Sequence, residues 1–161
     1  MGELFPLENV LAVLEEYARE VTESYRARLL ADDRRASGEL IDSVTCQVVT
    51  RTGGWDVTLT LKDYWKYAEY GTRPHWPPRE AILRWIRMKP VIPRPGADGR
   101  VPTERQLAFL IARKISRVGT EGRPSLRRTL EELNAQYLPR LESALAEDAG
   151  EYVRRVMAAA Y

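Results

Sequence analysis

Val44-Thr45-Cys46-Gln47-Val48 and, beyond Thr52-Gly53-Gly54, Trp55-Asp56-Val57-Thr58-Leu59-Thr60-Leu61 alternate apolar and polar residues. A period of two belongs to a strand with one buried face. Two such runs around a Gly-Gly turn make an antiparallel β-hairpin, predicted here over 43–62. A lone hairpin is marginal in water, so its apolar face has to pack on a helix or join strands from elsewhere. That requirement decides the fold class, because the flanking segments must supply the cover.

Upstream, Leu7, Val10, Leu11, Leu14, Ala18, Val21, Tyr25 and Leu29 recur at steps of three and four, with glutamates between them. The spacing predicts an amphipathic helix within 1–31, the natural cover for the hairpin. A loop follows from Asp32 to Gly38. Downstream, Asp63 to Tyr70 fits either a short helix capped by Asp63 or a continued strand. His75-Trp76-Pro77-Pro78 must be extended, since proline fixes φ and donates no hydrogen bond. A helix with Ala81, Ile82, Trp85, Ile86 and Met88 inside is expected from Arg79 until Pro90 stops it. A long proline- and glycine-rich loop then runs to Pro102.

Thr103 is a good N-cap for a helix over 103–119, with Leu107, Leu110, Ile111, Ile115 and Val118 as its apolar side. From Ser125, a second suitable cap, a long helix reaches 161. Leu126, Leu130, Leu133, Tyr137, Leu141, Leu145, Ala149, Val153 and Val156 form its stripe, and a kink is expected at Pro139. These elements predict a single α+β domain over 1–161, with a hairpin or small sheet packed against long N-terminal and C-terminal helices.

Composition narrows the function. At 161 residues the chain can build a hydrophobic core without staples, and its one cysteine, Cys46, excludes an internal disulfide and reads as a small buried hydrophobe. No stretch approaches the roughly 20 apolar residues of a membrane span, and Met-Gly-Glu-Leu-Phe-Pro lacks the pattern of a signal peptide; a soluble, intracellular protein without a membrane partner is expected. One histidine and one cysteine leave no zinc site and no activated nucleophile, and no phosphate-cradling glycine loop is present. The expectation is a protein that is not an enzyme, with no catalytic residues, no metal and no cofactor.

The formal charge is only +2, yet residues 62–128 hold sixteen Lys/Arg against six Asp/Glu, while residues 1–42 hold five against ten. Acidic terminal segments bracket a basic middle. They can neutralise one another within the fold or between subunits, or leave a basic face for nucleic acid or an acidic partner.

Gly71-Thr72-Arg73-Pro74 and Gly119-Thr120-Glu121-Gly122-Arg123-Pro124 bound most of that middle. In each, glycine can end an element with φ > 0, threonine can bond the freed backbone, and proline holds the preceding arginine extended. An arginine aimed in this way suits a carboxylate, phosphate or carbonyl on another surface. Tyr67, Tyr70, Trp76 and Trp85 stand near the first phrase. Arginine interleaved with aromatic rings suits either stacked bases or a protein interface, and no known DNA-reading pattern decides between them.

Tyr67-Ala68-Glu69-Tyr70-Gly71-Thr72-Arg73-Pro74-His75, followed by a proline-led helix with Leu83 and Trp85, resembles a signature of the tail-completion proteins of tailed bacteriophages, the head-tail joining, neck or minor tail proteins. Ala112 to Thr120, then Arg123-Pro124-Ser125-Leu126, is similar to that family's later segment, where a helix ends in Gly-Thr and an Arg-Pro step opens the last helix. Ser37-Gly38-Glu39-Leu40 before the strand pair also fits. The likeness covers roughly residues 7–145. It departs at Ser125, where members often place an aromatic, and in the long tail past Pro139.

The resemblance implies a structural virion protein of the phage neck or tail. It would be present in the host cytoplasm during assembly and form a homo-oligomeric ring, six copies by analogy, between head connector and tail tube or terminator. The expected interface comprises Tyr67, Glu69, Tyr70, Gly71, Thr72, Arg73, Pro74, His75, Trp76, Trp85, Gly119, Thr120, Arg123, Pro124 and Leu126, with Arg73 and Arg123 as anchors. The alternative is a nucleic-acid-binding or DNA-packaging accessory protein that uses 62–128 on phosphates, without sequence specificity.

Overall fold

The computed structural model describes residues 7–32, 38–89, 91–96 and 99–160. Its elements are α1 (Glu8–Ala31), α2 (Glu39–Ser43), β1 (Thr45–Arg51), β2 (Gly54–Thr60), α3 (Trp65–Tyr70), β3 (Gly71–Thr72), α4 (Arg79–Met88), α5 (Glu104–Val118), β4 (Thr120–Glu121) and α6 (Ser125–Ala159). This is an α+β fold, mainly helical, with a small antiparallel sheet and long helices at either end. The expected stop at Pro90, most of the loop before Gly38 and the opening residues 1–6 lie outside the described residues.

β1 and β2 pair antiparallel, with Cys46 opposite Leu59 and Val48 opposite Val57. The turn is Thr52-Gly53, and Gly54 already belongs to β2. Cys46 and Leu59 pack against Val21, Leu133 and Tyr137, so the cover is shared by α1 and α6. α1 also holds the edge of the hairpin: the Cys46 N–H donates to Thr22 Oγ1 at 3.0 Å, and Arg26 donates to the Val44 carbonyl at 2.7 Å. Cys46, expected to be buried, is half-buried, and that burial raises its thiol above the ordinary pKa. A second cluster joins Tyr25 and Leu29 of α1 to Leu40, Ile41, Val44 and Leu126.

Two carboxylates, each from a distant part of the chain, close the N-termini of the two long helices. The first turn of a helix leaves backbone N–H groups without intrahelical acceptors. At α1 these are met by Asp148 of α6, which accepts from the N–H groups of Asn9 (3.1 Å) and Val10 (3.0 Å) and from the Asn9 amide (2.7 Å). At α6 they are met by Glu69 of α3, which accepts from Leu126 and Arg127, both at 2.9 Å. Ser125, expected to cap α6, instead donates to Asp32 at the end of α1. Both capping carboxylates are buried. Between them, Glu16 of α1 accepts from Arg140 and Tyr137 of α6, and the Arg140 guanidinium stacks 4.6 Å from the Tyr137 ring centre.

α6 passes Pro139 without a break. Ala135, whose carbonyl loses its partner there, and Pro139 itself are exposed, so water can take the place of the missing donor. Leu145, Val153 and Val156 were expected in the buried stripe but are exposed. At Leu145 the buried side of α6 is taken by Ala144 and Asp148 instead. For Val153 and Val156 the cover ends, because α1 begins opposite Asp148 and among the described residues no element continues beside α6 past that point.

The electrostatic consequence concerns acid. Burial alone would raise the Asp148 pKa, but the bonds from Val10 and Asn9 outweigh it and hold the carboxyl below its ordinary value; Glu16 is lowered chiefly by Arg140. Both bind protons less tightly folded than unfolded. Their contribution is therefore complete above the usual carboxylate pKa of about 4 and is lost as pH falls below it. Asp148→Asn should be less stable than the native chain at pH 7, with the difference shrinking toward pH 3 in urea titrations followed by circular dichroism. Glu69→Ala should lose about 1–3 kcal/mol in the same assay, and Glu69→Gln, which keeps one acceptor, should lose less.

Candidate interaction site at the Gly-Thr clasp and the basic arm

The two Gly-Thr phrases pair with each other. β3 and β4 form a two-residue antiparallel ladder with Gly71 opposite Glu121 and Thr72 opposite Thr120. The threonine hydroxyls lie 2.9 Å apart, and Thr72 Oγ1 also accepts from the Thr120 N–H at 3.1 Å. The Arg123 N–H extends the junction to the Ala68 carbonyl at 3.0 Å.

Glycine is required here on two counts. Gly71 and Gly119 adopt almost the same backbone, φ 73°, ψ −164° and φ 72°, ψ −157°, a region open essentially to glycine alone. A Cβ on Gly71 would overlap the Thr120 carbonyl oxygen, and one on Gly119 would overlap that of Thr72. Gly122 sits as closely against the backbone of Glu69 and Tyr70. These overlaps place each phrase against the backbone of the other, as a clasp.

The described residues between the phrases form an arm. α4 and α5 pack through Ile82, Leu83, Ile86, Ala108 and Ala112, a cluster separate from those of the body. On the α5 side Ala108 and Ala112 are buried, with the expected Leu107 and Ile111 packed beside them, while the expected Leu110 and Val118 are exposed, as are Ala81 and Met88 of α4. Alanine at 108 and 112 lets the short helices approach closely. Thr103 starts α5 with a capping box, its hydroxyl accepting from the Gln106 N–H while Gln106 accepts from the Thr103 N–H. At the neck, the His75 N–H donates to the Ile115 carbonyl at 3.4 Å. Between arm and body lies an open cleft of about 1110 Å³, with Arg84 and Lys114 on the arm side and Asp32, Glu39 and Glu121 on the body side.

The clasp also marks an electrostatic boundary. Residues 73–118 carry eleven Lys/Arg and three Asp/Glu, a net of +8, while the remainder carries fourteen and twenty, a net of −6. The outer side of the arm is a hollow of about 980 Å³ lined by Arg79, Arg94 and Arg105, with Trp76 and Phe109 edge to face at 5.9 Å. The chain matches no protein-family model, no curated protein sequence and no solved structure. What the surface can do has to follow from its own residues.

The fifteen expected interface residues divide by place. Tyr67 (63% exposed), Tyr70 (71%) and Trp76 (57%) stand out from the surface, and Arg73, Pro74, His75 and Thr120 are exposed beside them. Glu69, Gly119 and Leu126 are buried: Glu69 as a helix cap, Gly119 in the clasp, Leu126 in the core. Gly71, Thr72, Trp85 and Pro124 are half-buried, Trp85 against the α4–α5 cluster.

The two arginines differ. Arg123 donates to the Asp32 carbonyl at 2.9 Å and lies 3.5 Å from its carboxylate, tying the start of α6 to the end of α1. Arg73 is exposed and enters no ion pair found among the described residues. Its carbonyl contacts His75 Nδ1 at 2.9 Å. α3 is a helix, as one of the two readings of Asp63 to Tyr70 had it, but Asp63 does not cap it.

Sequence reasoning missed Phe109, Arg79 and Arg105 as parts of one hollow, because only the packing of α5 on α4 brings them together. Among the described residues no group of His, Cys, Asp and Glu is placed to hold a metal, and no helix is long and apolar enough to cross a membrane. The surface offers cations and aromatic rings for contact.

If the clasp is the junction described, Gly71→Ala and Gly119→Ala should each destabilise the chain by about 2 kcal/mol or more. Gly150→Ala meets only an ordinary contact with Arg154 inside α6 and should stabilise by about 0.5–1 kcal/mol. Chemical denaturation of the three variants checks this.

Proposed function

We propose that this chain is a structural protein of the neck or tail of a tailed bacteriophage, a tail-completion or head-tail joining protein that acts as a ring between head connector and tail tube. Its work is assembly and involves no catalytic step. The observation that carries the reading is the clasp. The two motifs on which the family resemblance rests are hydrogen-bonded partners in one junction, with Glu69 of the first segment capping the helix that the second segment opens. Motifs that serve one junction amount to one structural feature, which gives the likeness more weight than two separate tetrapeptides would.

The surface beside the clasp has the composition of a protein interface. Tyr67, Tyr70, Arg73 and Trp76 are exposed within ten residues of sequence, and Tyr, Trp and Arg are the residue types that carry most binding energy. Six copies, the virion location and the neighbouring neck and tail proteins come to this reading from the resemblance. The arm's net charge of +8 favours one second reading, a nucleic-acid-binding accessory protein in which the arm neutralises phosphates.

Electron microscopy of the purified protein, alone and with the connector of the same virion, should show closed rings. Arg73→Ala should leave monomer stability within about 0.5 kcal/mol and weaken assembly, whereas Arg123→Ala should lower monomer stability by up to about 1 kcal/mol through its exposed ion pair with Asp32. Duplex DNA binding that stays tight at ~0.15 M salt and falls linearly in log salt would favour the second reading instead.

A further inference from the structure

The basic arm and the acidic body are complementary, yet the clasp holds them in one chain with an open cleft between them. Their outward faces keep charged groups that enter no ion pair among the described residues. On the arm, Arg79, Arg94 and Arg105 surround the Trp76–Phe109 ring pair, and none of the three takes part in an ion pair among the described residues. Arg105, Phe109 and Arg113 follow at steps of four along one exposed side of α5. On the body, Glu8, Glu15 and Glu23 follow at steps of seven and eight along α1, all exposed and likewise without an ion pair. At 1.5 Å per residue, Glu15 and Glu23 are about 12 Å apart along their axis, the same rise that separates Arg105 from Arg113. Arg19 and Arg26 share a groove with Glu15 and Glu23 and offset part of their charge; with Glu8 these five groups still sum to −1.

We propose that the outer face of the arm docks on the acidic outer face of α1 in a second copy of this chain. The contact joins different surfaces of the two partners, so each copy keeps one arm and one α1 face free for the next. It places an aromatic pair at the centre and charges around it, the arrangement of a specific interface with a polar rim. A second copy fits better than a nucleic acid because the phosphate backbone would meet a body of net charge −6 behind the arm, whereas that same charge draws in a basic arm. The contact does not depend on the virion reading, and its test uses the purified full chain alone.

The test is a charge exchange followed by sedimentation velocity. The native chain should associate at 50 mM salt and weaken tenfold or more at 1 M. Arg105→Glu with Arg113→Glu, and separately Glu15→Arg with Glu23→Arg, should each weaken self-association at least tenfold while circular dichroism shows the native fold. Mixing the two double variants should restore association, because the reversed arm of one then meets the reversed α1 of the other and both native faces also remain matched. Failure of the mixture to restore it would overturn the proposal, as would a native chain that is monomeric at 50 mM salt and ~100 µM, or an arm reversal that leaves association unchanged. Loss of single-stranded oligonucleotide binding in the arm variant, with association intact, would assign the arm to nucleic acid and equally overturn it.

Discussion

Two hydrogen-bonded residues on each side, Gly71-Thr72 against Thr120-Glu121, fix where the body of this protein stops and the arm begins. A ladder so short would not persist alone, since isolated pairs of strands are marginal even at hairpin length. It is held because both flanks are anchored. On one side Glu69, immediately before the clasp, is buried against the first amides of α6; on the other, Arg123 and Ser125 fasten the chain to Asp32 at the end of α1. The carboxylate on α3 and the helix after β4 can meet only if the two phrases lie side by side, so the cap and the clasp require each other.

The body has a similar logic. α1 and α6 are each started by a carboxylate that belongs to another segment, and both of those carboxylates are buried. A cap supplied in this way is local chemistry with a long-range condition, because the helix end is satisfied only in the folded topology. The apolar clusters supply most of the driving force, with Tyr25, Leu29 and Val44 fully buried between α1, α2, the hairpin and α6. Ion pairs such as Arg51–Asp56 and Arg87–Glu104, with both partners mostly exposed, contribute little by comparison.

Much of this was legible in the sequence. The period-two run gave the hairpin, the three-and-four spacing gave α1, and Thr103 marked the start of α5, because all three signals are local. The clasp was visible only as a repeated phrase, since nothing in Gly-Thr states that its partner is another Gly-Thr 48 residues away. The caps were missed for the same reason: Ser125 is the kind of residue that caps its own helix, and the tertiary fold gave that role to Glu69. On α5 the apolar count pointed to leucine and valine, but close approach of two short helices favoured Ala108 and Ala112 and left Leu110 and Val118 outside. The stripe on α6 was read correctly from Leu126 to Leu141; at the next turn Ala144 and Asp148 take the buried side and Leu145 is exposed, and past Asp148 the sequence had no way to show that the cover ends.

The clasp also divides a chain of nearly balanced charge into a part of net +8 and a part of net −6. Had the arm packed flat on α1 and α6, its eight surplus positive charges would have been spent against the body's six surplus negative ones, leaving a near-neutral surface with little electrostatic preference for any partner. Joined through a glycine-lined neck with an open cleft beside it, the arm turns Arg84 and Lys114 toward the body but keeps Arg79, Arg94 and Arg105 on its other side. Separation of charge costs some intramolecular attraction, but at surface sites in physiological salt that attraction is small. What it leaves is Arg79, Arg94 and Arg105 on the arm and Glu8, Glu15 and Glu23 on α1 without an ion pair among the described residues. These are the two faces that the proposed docking of one copy on the next would bring together.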